Sequence, residues 1–261
     1  MIGLVGAGAM GGALLSGWLA AGWPVGDFIV AETNAARRAE LSERGIRCGT
    51  PDEAAAADTL VLAVKPQQMS ALLEELRPEP ETLVVSVAAG VPLERLERAW
   101  PDSPVVRVMP NTGALVGEAM SGLILGARAT DGHLARARRL FDAVGRTVVT
   151  DEAHLDALTA LSGSGPAYLF YVADALIEAG VHQGLTREQS RELVAQTFVG
   201  AAKLLADSPA TAVELREQVT SPKGTTAAAL RKLDDHGVRA AFLAAVEACA
   251  HRSAEMGRSQ S

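Results

Sequence analysis

Cysteine, aromatic side chains and runs of basic charge are all scarce in this chain of 261 residues. Its two cysteines, Cys48 and Cys249, lie far apart and form no CxxC pair, and no His/Cys cluster has zinc-ligand spacing. This excludes a disulfide framework and a structural zinc site. Both thiols are expected to be small buried residues in a reducing compartment. Aromatics make up 4% of the residues while alanine is abundant, so much of the packing should be helix on helix through small side chains. The formal charge is −7 with no basic cluster, which argues against nucleic acid or an anionic membrane as partner. An anionic ligand must then be held by a local site. No uncharged apolar run reaches the length of about 18 residues that a membrane span needs. The N-terminus opens directly on a strand-like "MIGLVGAG", without the basic n-region of a signal peptide. No membrane association is expected, and the cytoplasm is the expected location.

What is present is an alternation. Apolar runs rich in β-branched residues occur at Ile2–Val5, Phe28–Glu32, Thr59–Val64, Thr82–Ala88, Pro104–Pro110, Gly122–Ala127 and Arg146–Asp151. Amphipathic stretches such as Ala9–Ala21 and Ala35–Arg44 lie between them, and glycine or proline marks nearly every junction. Strand–helix alternation predicts βαβ units in a mostly parallel sheet. After residue 151 no strand-like run follows. The stretches 152–161, 166–182, 187–206, 210–219, 225–235 and 238–256 all read as helices. The fold class is therefore α/β: a Rossmann-like domain over 1–150, then an all-α domain over 151–261. Helices such as "AYLFYVADALIEAG" are apolar nearly all round, which calls for burial on several sides. A homodimer through this half is expected, the alternative being a monomer with this half folded over the sheet.

The stretch Gly6-Ala7-Gly8-Ala9-Met10-Gly11 fits GxGxxG, follows a strand and opens an amphipathic helix. Gly6 suits the tight turn, Gly8 a close backbone approach to a pyrophosphate, and Gly11 close packing of helix on sheet. The N–H groups at the helix start, through Ala9 and Met10, would face the phosphates. Glu32 ends the second strand 21 residues after Gly11, where an acid can accept from a ribose 2′-hydroxyl and would repel a 2′-phosphate. Arg37 and Arg38 lie just beyond and could reach a 2′-phosphate or face solvent. The cofactor is thus NADH or NADPH, with a slight chemical lean to NADH from Glu32.

Further strand ends carry polar candidates. Val64-Lys65-Pro66 closes one strand, where Lys65 could contact ribose or substrate, or simply cap the strand end. Asn111 follows another strand and could bind a ligand or its own turn. The Gly/Ser turn "LSGSGPAYLF" (Leu161–Phe170) is either a helix connection or a means of placing Ser162, Ser164 and Gly165 near the nicotinamide. "QVTSPKGTTAAALRKLDD" (Gln218–Asp235) is more informative. Thr220, Ser221, Lys223, Gly224, Thr225 and Thr226 converge on one helix start, more hydroxyls than a plain N-cap requires, and suit a small carboxylate.

These segments resemble Δ1-pyrroline-5-carboxylate reductase. "GLVGAGAMGGAL", "LAVKPQ", "VVSVAAGV", "RVMPNTGALVGEAMSGL", "LTALSGSGPAYLFYVADALIEAGVHQGL" and "QVTSPKGTTAAALRKLD" run in family order across essentially the whole chain. The GxGxxG is unspecific, whereas SGSGPAY with SPxGTT is highly specific. The resemblance implies hydride transfer from NAD(P)H to the C=N carbon of the cyclic imine, giving L-proline. It implies a helical dimerisation domain, with rings of dimers in some members. It puts the substrate carboxylate on Ser221, Gly224, Thr225 and Thr226, with the Thr226 hydroxyl on the ring nitrogen as the catalytic contact. It makes Val64, Lys65, Pro66 and Asn111 cofactor or nicotinamide-side contacts beside Gly6, Gly8, Ala9, Met10, Gly11 and Glu32. Two departures stand out: Glu32-Thr33 replaces the polar pair suited to a 2′-phosphate, and Lys223 replaces a glycine of the usual SPGGTT. Lys223 could add a cation beside the carboxylate or point to solvent.

The chemistry agrees with the residues. A cyclic imine carries its own proton as an iminium, so a site without histidine or paired carboxylates suffices, and no metal is expected. The five histidines, His133, His154, His182, His236 and His251, are scattered and read as structural or surface residues. A 3-hydroxyacid dehydrogenase would need a general base, often a lysine early in the second domain, and Asp151–Ala202 contains no lysine. A non-catalytic nucleotide-binding regulator would not need SPKGTT. A reductase of six-membered imines is the hardest rival, since the same loop could serve it.

Overall fold

The computed structural model describes residues 1–258, so the last three positions of the expected 151–261 domain lie outside the described residues. Strands β1 (Ile2–Val5), β2 (Phe28–Ala31), β3 (Arg47–Cys48), β4 (Thr59–Leu62), β5 (Leu83–Ser86), β6 (Val105–Met109), β7 (Ala119–Leu125) and β8 (Gly145–Val149) form one eight-stranded sheet. The order is β3-β2-β1-β4-β5-β6-β7-β8. All neighbours pair in parallel except β6 and β7. Between the strands run α1 (Ala9–Ala20), α2 (Ala35–Glu43), α3 (Pro51–Ala55), α4 (Pro66–Glu75), α5 (Leu93–Ala99) and α6 (Asp131–Asp142).

Strands β1, β2, β4, β5 and β6 are buried at every position, as befits a parallel sheet covered on both faces. Alternate residues feed two cores. Leu4, Val30, Val61, Val85 and Val106 pack with Leu14, Trp18, Leu41 and Phe141 of α1, α2 and α6. Val5, Ile29, Leu60, Val84 and Val105 pack with Ala54, Met69, Leu73 and Leu96 of α3, α4 and α5. The strand positions expected from the sequence hold within a few residues. Two elements were not legible as periodic runs, β3 with two residues and α3 with five. The start of α3 does carry a local signal. Thr50 caps it, Pro51 follows, and Glu53 returns to the Thr50 N–H at 2.8 Å, a capping box.

The later chain forms α7 (Leu155–Leu158), α8 (Gly165–His182), α9 (Arg187–Asp207), α10 (Ala212–Gln218), α11 (Thr225–Asp235) and α12 (Val238–Arg258). The stretch 152–161, expected as one helix, is instead a 3-10 turn (Glu152–His154), then α7, then a π turn (Thr159–Gly163). Tertiary ties override the helical pattern there. Glu152 pairs with buried Arg107 of β6 and accepts the Leu93 N–H at 3.2 Å, while the Asn111 amide donates to the Ser162 carbonyl at 3.0 Å. Burial lowers the Arg107 guanidinium pKa, and Glu152 opposes that shift.

Two compact units result, one of Met1–Pro166 with the segment from Glu247, the other Ala167–Val246. The second has almost no interior: Ser190 is its only buried residue, while Leu169, Phe170, Tyr171, Leu193, Leu204 and Leu243 are exposed. The two cysteines, expected to be buried, are half-buried free thiols. Each sits beside polar groups: Cys48 by the Arg38 carbonyl at 3.7 Å, Cys249 by the Ser164 hydroxyl at 3.3 Å.

The Arg107–Glu152 pair yields an asymmetric prediction. Glu152→Ala should destabilise by about 2 kcal/mol in urea unfolding, because it strands a buried charge; the partial exposure of Glu152 keeps the figure low. Arg107→Met should be close to neutral, within about 1 kcal/mol.

Candidate functional site

The carboxyl edge of a parallel sheet is where an open α/β fold holds ligands. Here that edge carries the turn from β1 into α1. Gly6 has φ +89°, a left-handed conformation that suits glycine. Gly11 lies so close to this turn that a Cβ on it would sit 2.0 Å from the Gly6 carbonyl oxygen. Gly8 is the N-cap of α1, no side chain caps the helix, and its first turn holds no acid. The N–H groups of Ala9, Met10 and Gly11 therefore remain free for an anion. A Cβ on Gly8 would meet only the Arg37 guanidinium, at 3.8 Å, so the approach to its backbone is open.

Beside the turn lies a cavity of about 490 Å³, lined among others by Gly6, Gly8, Glu32, Arg37, Val64 and Lys65. Arg38, Thr33 and the β3–α3 residues Gly49, Thr50 and Pro51 complete the wall on the β2 side. These last were not singled out from the sequence. The residues fit a dinucleotide: uncapped helix donors for the pyrophosphate and a cavity beside them for the adenosine end.

Glu32 occupies the expected place but is turned toward the protein. Its Oε2 accepts the Ala7 N–H at 2.9 Å and its Oε1 the Asn34 N–H at 2.7 Å. Lys65 is exposed at the cavity rim as N-cap of α4, with Pro66 at the first helical position. Asn111 is engaged within the fold. Its Oδ1 accepts the Gly113 N–H at 3.0 Å and the Met120 N–H at 3.4 Å, while its Nδ2 donates to Ser162. Its amide binds the π turn to the end of β6, a link with no sequence signal.

In the helical unit, Ser221, Gly224, Thr225 and Thr226 gather at the start of α11. Gly224 is the N-cap, no side chain caps the helix, and the first turn holds no acid. The Gly224 N–H bonds the Ser221 carbonyl at 3.0 Å, and a Cβ on Gly224 would meet Ser221 Oγ at 2.3 Å. The Thr220 hydroxyl is engaged elsewhere, donating to the Arg216 carbonyl at 2.6 Å. Thr226 is half-buried, while Ser221 and Thr225 are exposed. Lys223 is exposed with φ +60°, the only non-glycine residue at positive φ among the described residues. Among those residues no group of three or more His, Cys, Asp or Glu side chains could hold a metal, and no helix is long and apolar enough to cross a membrane.

Comparisons with known proteins match both parts. Residues 152–256 match the family model for pyrroline-5-carboxylate reductase dimerisation, and residues 1–90 that for NADP oxidoreductase, coenzyme F420-dependent. The pyrroline-5-carboxylate reductase of Pseudomonas aeruginosa is 41% identical over 263 aligned positions, covering 98% of this chain and 96% of that protein. Among solved structures, a pyrroline-5-carboxylate reductase from Coxiella burnetii superposes with a TM-score of 0.90 at 32% identity, covering 98% of this chain and 97% of that one. The Plasmodium falciparum pyrroline carboxylate reductase with NADP bound gives a TM-score of 0.88 at 30% identity, with the same coverage.

Two substitutions follow from the geometry. Gly11→Ala should cost about 2 kcal/mol in thermal unfolding, and should weaken NADPH binding in fluorescence titration by about tenfold or more as the turn and α1 separate. Lys223→Gly should raise stability by about 1 kcal/mol, because glycine adopts a positive φ without the Cβ clash.

Proposed function

The chain belongs to the pyrroline-5-carboxylate reductase family, and we propose that it reduces Δ1-pyrroline-5-carboxylate to L-proline with NAD(P)H. NAD(P)H supplies the hydride for the C=N carbon. The imine nitrogen, protonated as the iminium, becomes the secondary amine, so no strong protein acid is required. The protein's part is to bind and orient the two reactants.

The observation that carries this reading is the uncapped start of α11 in a chain that also holds an uncapped glycine turn. We assign the substrate carboxylate to the N–H groups and hydroxyls of Ser221, Gly224, Thr225 and Thr226, and the ring nitrogen to the Thr226 hydroxyl as the catalytic contact. The hydroxyls of Ser221, Thr225 and Thr226 have no hydrogen-bond partner among the described residues, which supports the assignment. We assign the cofactor to Gly6, Gly8, Ala9, Met10, Gly11, Val64, Lys65 and Pro66. Asn111 supports the cofactor side by holding the π turn. Residues 1–150 act as the dinucleotide-binding domain and the chain from 151 as the helical substrate and dimerisation domain. A second copy covers the apolar surface of the helices, which Ser190 alone cannot turn into a core. Assembly of such dimers into a ring, and a cytoplasmic location, belong to the same reading.

Thr226→Ala should lower turnover by about tenfold to a hundredfold while NADPH affinity by fluorescence stays within about twofold. Unchanged turnover would refute the assignment. Light scattering at micromolar concentration should give at least a dimer, and a monomer there would remove the proposed interface.

A further inference from the structure

We propose that Arg107 is a positioning residue for the reduction: through Glu152 it fixes the register of residues 152–163 along strands β6 and β7, and so the place of the π turn at the carboxyl edge of the sheet. The proposal rests on the imine-reductase reading above. Glu152, Leu155, Leu158 and Ser162 lie three or four residues apart and tie this segment to the sheet. Glu152 pairs with the Arg107 guanidinium of β6 and accepts the Leu93 N–H at the start of α5. Leu155 packs with Met109 and Ile124. Leu158 fills the space at Gly122 of β7, where a Cβ would collide with its Cδ1. The Ser162 carbonyl accepts from Asn111, just beyond the end of β6. The two middle contacts are made by leucines three residues apart, so apolar packing alone would accept a slip of about one turn. The charged end and the amide end admit one register only, as a single polar residue does in a helical seam.

Stability alone does not account for the ion pair. The Arg107 side chain is 7% exposed, and its Nε has no hydrogen-bond partner among the described residues. Burial lowers its pKa against the pull of Glu152 and of Asp156 in α7. A guanidinium buried with a donor unused carries a desolvation cost that an apolar side chain of similar size avoids. What the pair supplies is direction. Register matters here because the segment changes pitch twice, running as a 3-10 turn, α7 and a π turn. These rotate by different angles per residue, so a slip of one residue turns every later side chain to another side. Thr159 and Ser162 lie in the π turn, and their hydroxyls are shut from solvent without a hydrogen-bond partner among the described residues. Ser164, directly after the turn, accepts from the Cys249 thiol at 3.3 Å. These hydroxyls stand beside the end of β6, on the edge where an open α/β sheet holds its reactants. A displacement of about 1 Å at a reacting centre can slow transfer by about a hundredfold. Arg107 is buried in the sheet and acts on that edge only through the segment.

Steady-state kinetics of the intact protein with NADPH dideuterated at nicotinamide C4 tests this, beside fluorescence titration of NADPH and a thermal melt. Arg107→Met should fold, bind NADPH within about twofold of the wild type and lose about tenfold or more in kcat. Its deuterium isotope effect on kcat should exceed the wild-type value, because a misplaced transfer becomes rate-limiting. Arg107→Lys should restore part of the rate, since it keeps a charged donor for Glu152. Glu152→Gln should slow turnover in the same way. The double variant Arg107→Met/Glu152→Gln should be no slower than either single one, because both remove the same contact. Wild-type kcat in Arg107→Met would overturn the proposal, as would wild-type kcat in Glu152→Gln should Arg107→Met fail to fold. So would a loss of rate that follows the melting temperature across the variants and is not restored by lysine, the mark of a purely structural role. A wild type that binds NADPH but reduces no cyclic imine would overturn the reductase reading together with the proposal. Reduction of a different cyclic imine would remove only the assigned substrate, and a slowed Arg107→Met on that imine would support the proposal.

Discussion

The nucleotide end of this protein depends on one close approach, that of Gly11 to the carbonyl of Gly6. No atom beyond hydrogen fits between them, since a Cβ would lie 2.0 Å from the oxygen. That contact sets the start of α1 directly over the end of β1 and leaves the first-turn N–H groups facing outward. The left-handed Gly6 reverses the chain tightly enough for it. Glu32 then fixes the same turn from the side through Ala7. Sheet, helix and turn thus form one rigid cradle whose open donors are backbone groups, and backbone groups need no reorganisation when an anion arrives.

The helical unit obeys a different constraint. Its helices are as apolar as core elements, yet Ala167–Val246 buries only Ser190. Such a surface is stable in water only when something covers it, and the match of residues 152–256 to a dimerisation family identifies the class of cover. On the proposed assignment of the substrate carboxylate, binding and assembly are linked, because the start of α11 belongs to this unit. The bare helix start supplies donors, while Lys223 keeps a side chain at a backbone angle that suits glycine.

Much of this was legible in the sequence, for identifiable reasons. Long β-branched runs marked the main strands because a parallel sheet covered on both faces demands apolar residues at every position. The GxGxxG turn and SPKGTT were legible because each needs particular residues at fixed spacing. Short elements were not: β3 has two residues and shows no period. The break of 152–161 into three kinds of turn came from Arg107 and Asn111, more than 40 residues away. The hydrogen bonds of Glu32 were also hidden. Its type and position suggested a ribose ligand, and the partner it accepts from, Ala7 N–H, is a backbone group that no sequence pattern displays.

The central claim is that the protein binds NAD(P)H at its glycine turn and a cyclic imine carboxylate at the start of α11, and that the hydride added to the imine comes from the cofactor. Reduction of Δ1-pyrroline-5-carboxylate with NADPH dideuterated at nicotinamide C4, followed by NMR of the product, tests it most directly. The account predicts L-proline carrying one deuterium, on the ring carbon that was the C=N carbon. Proline without deuterium, or no proline at all, would contradict it.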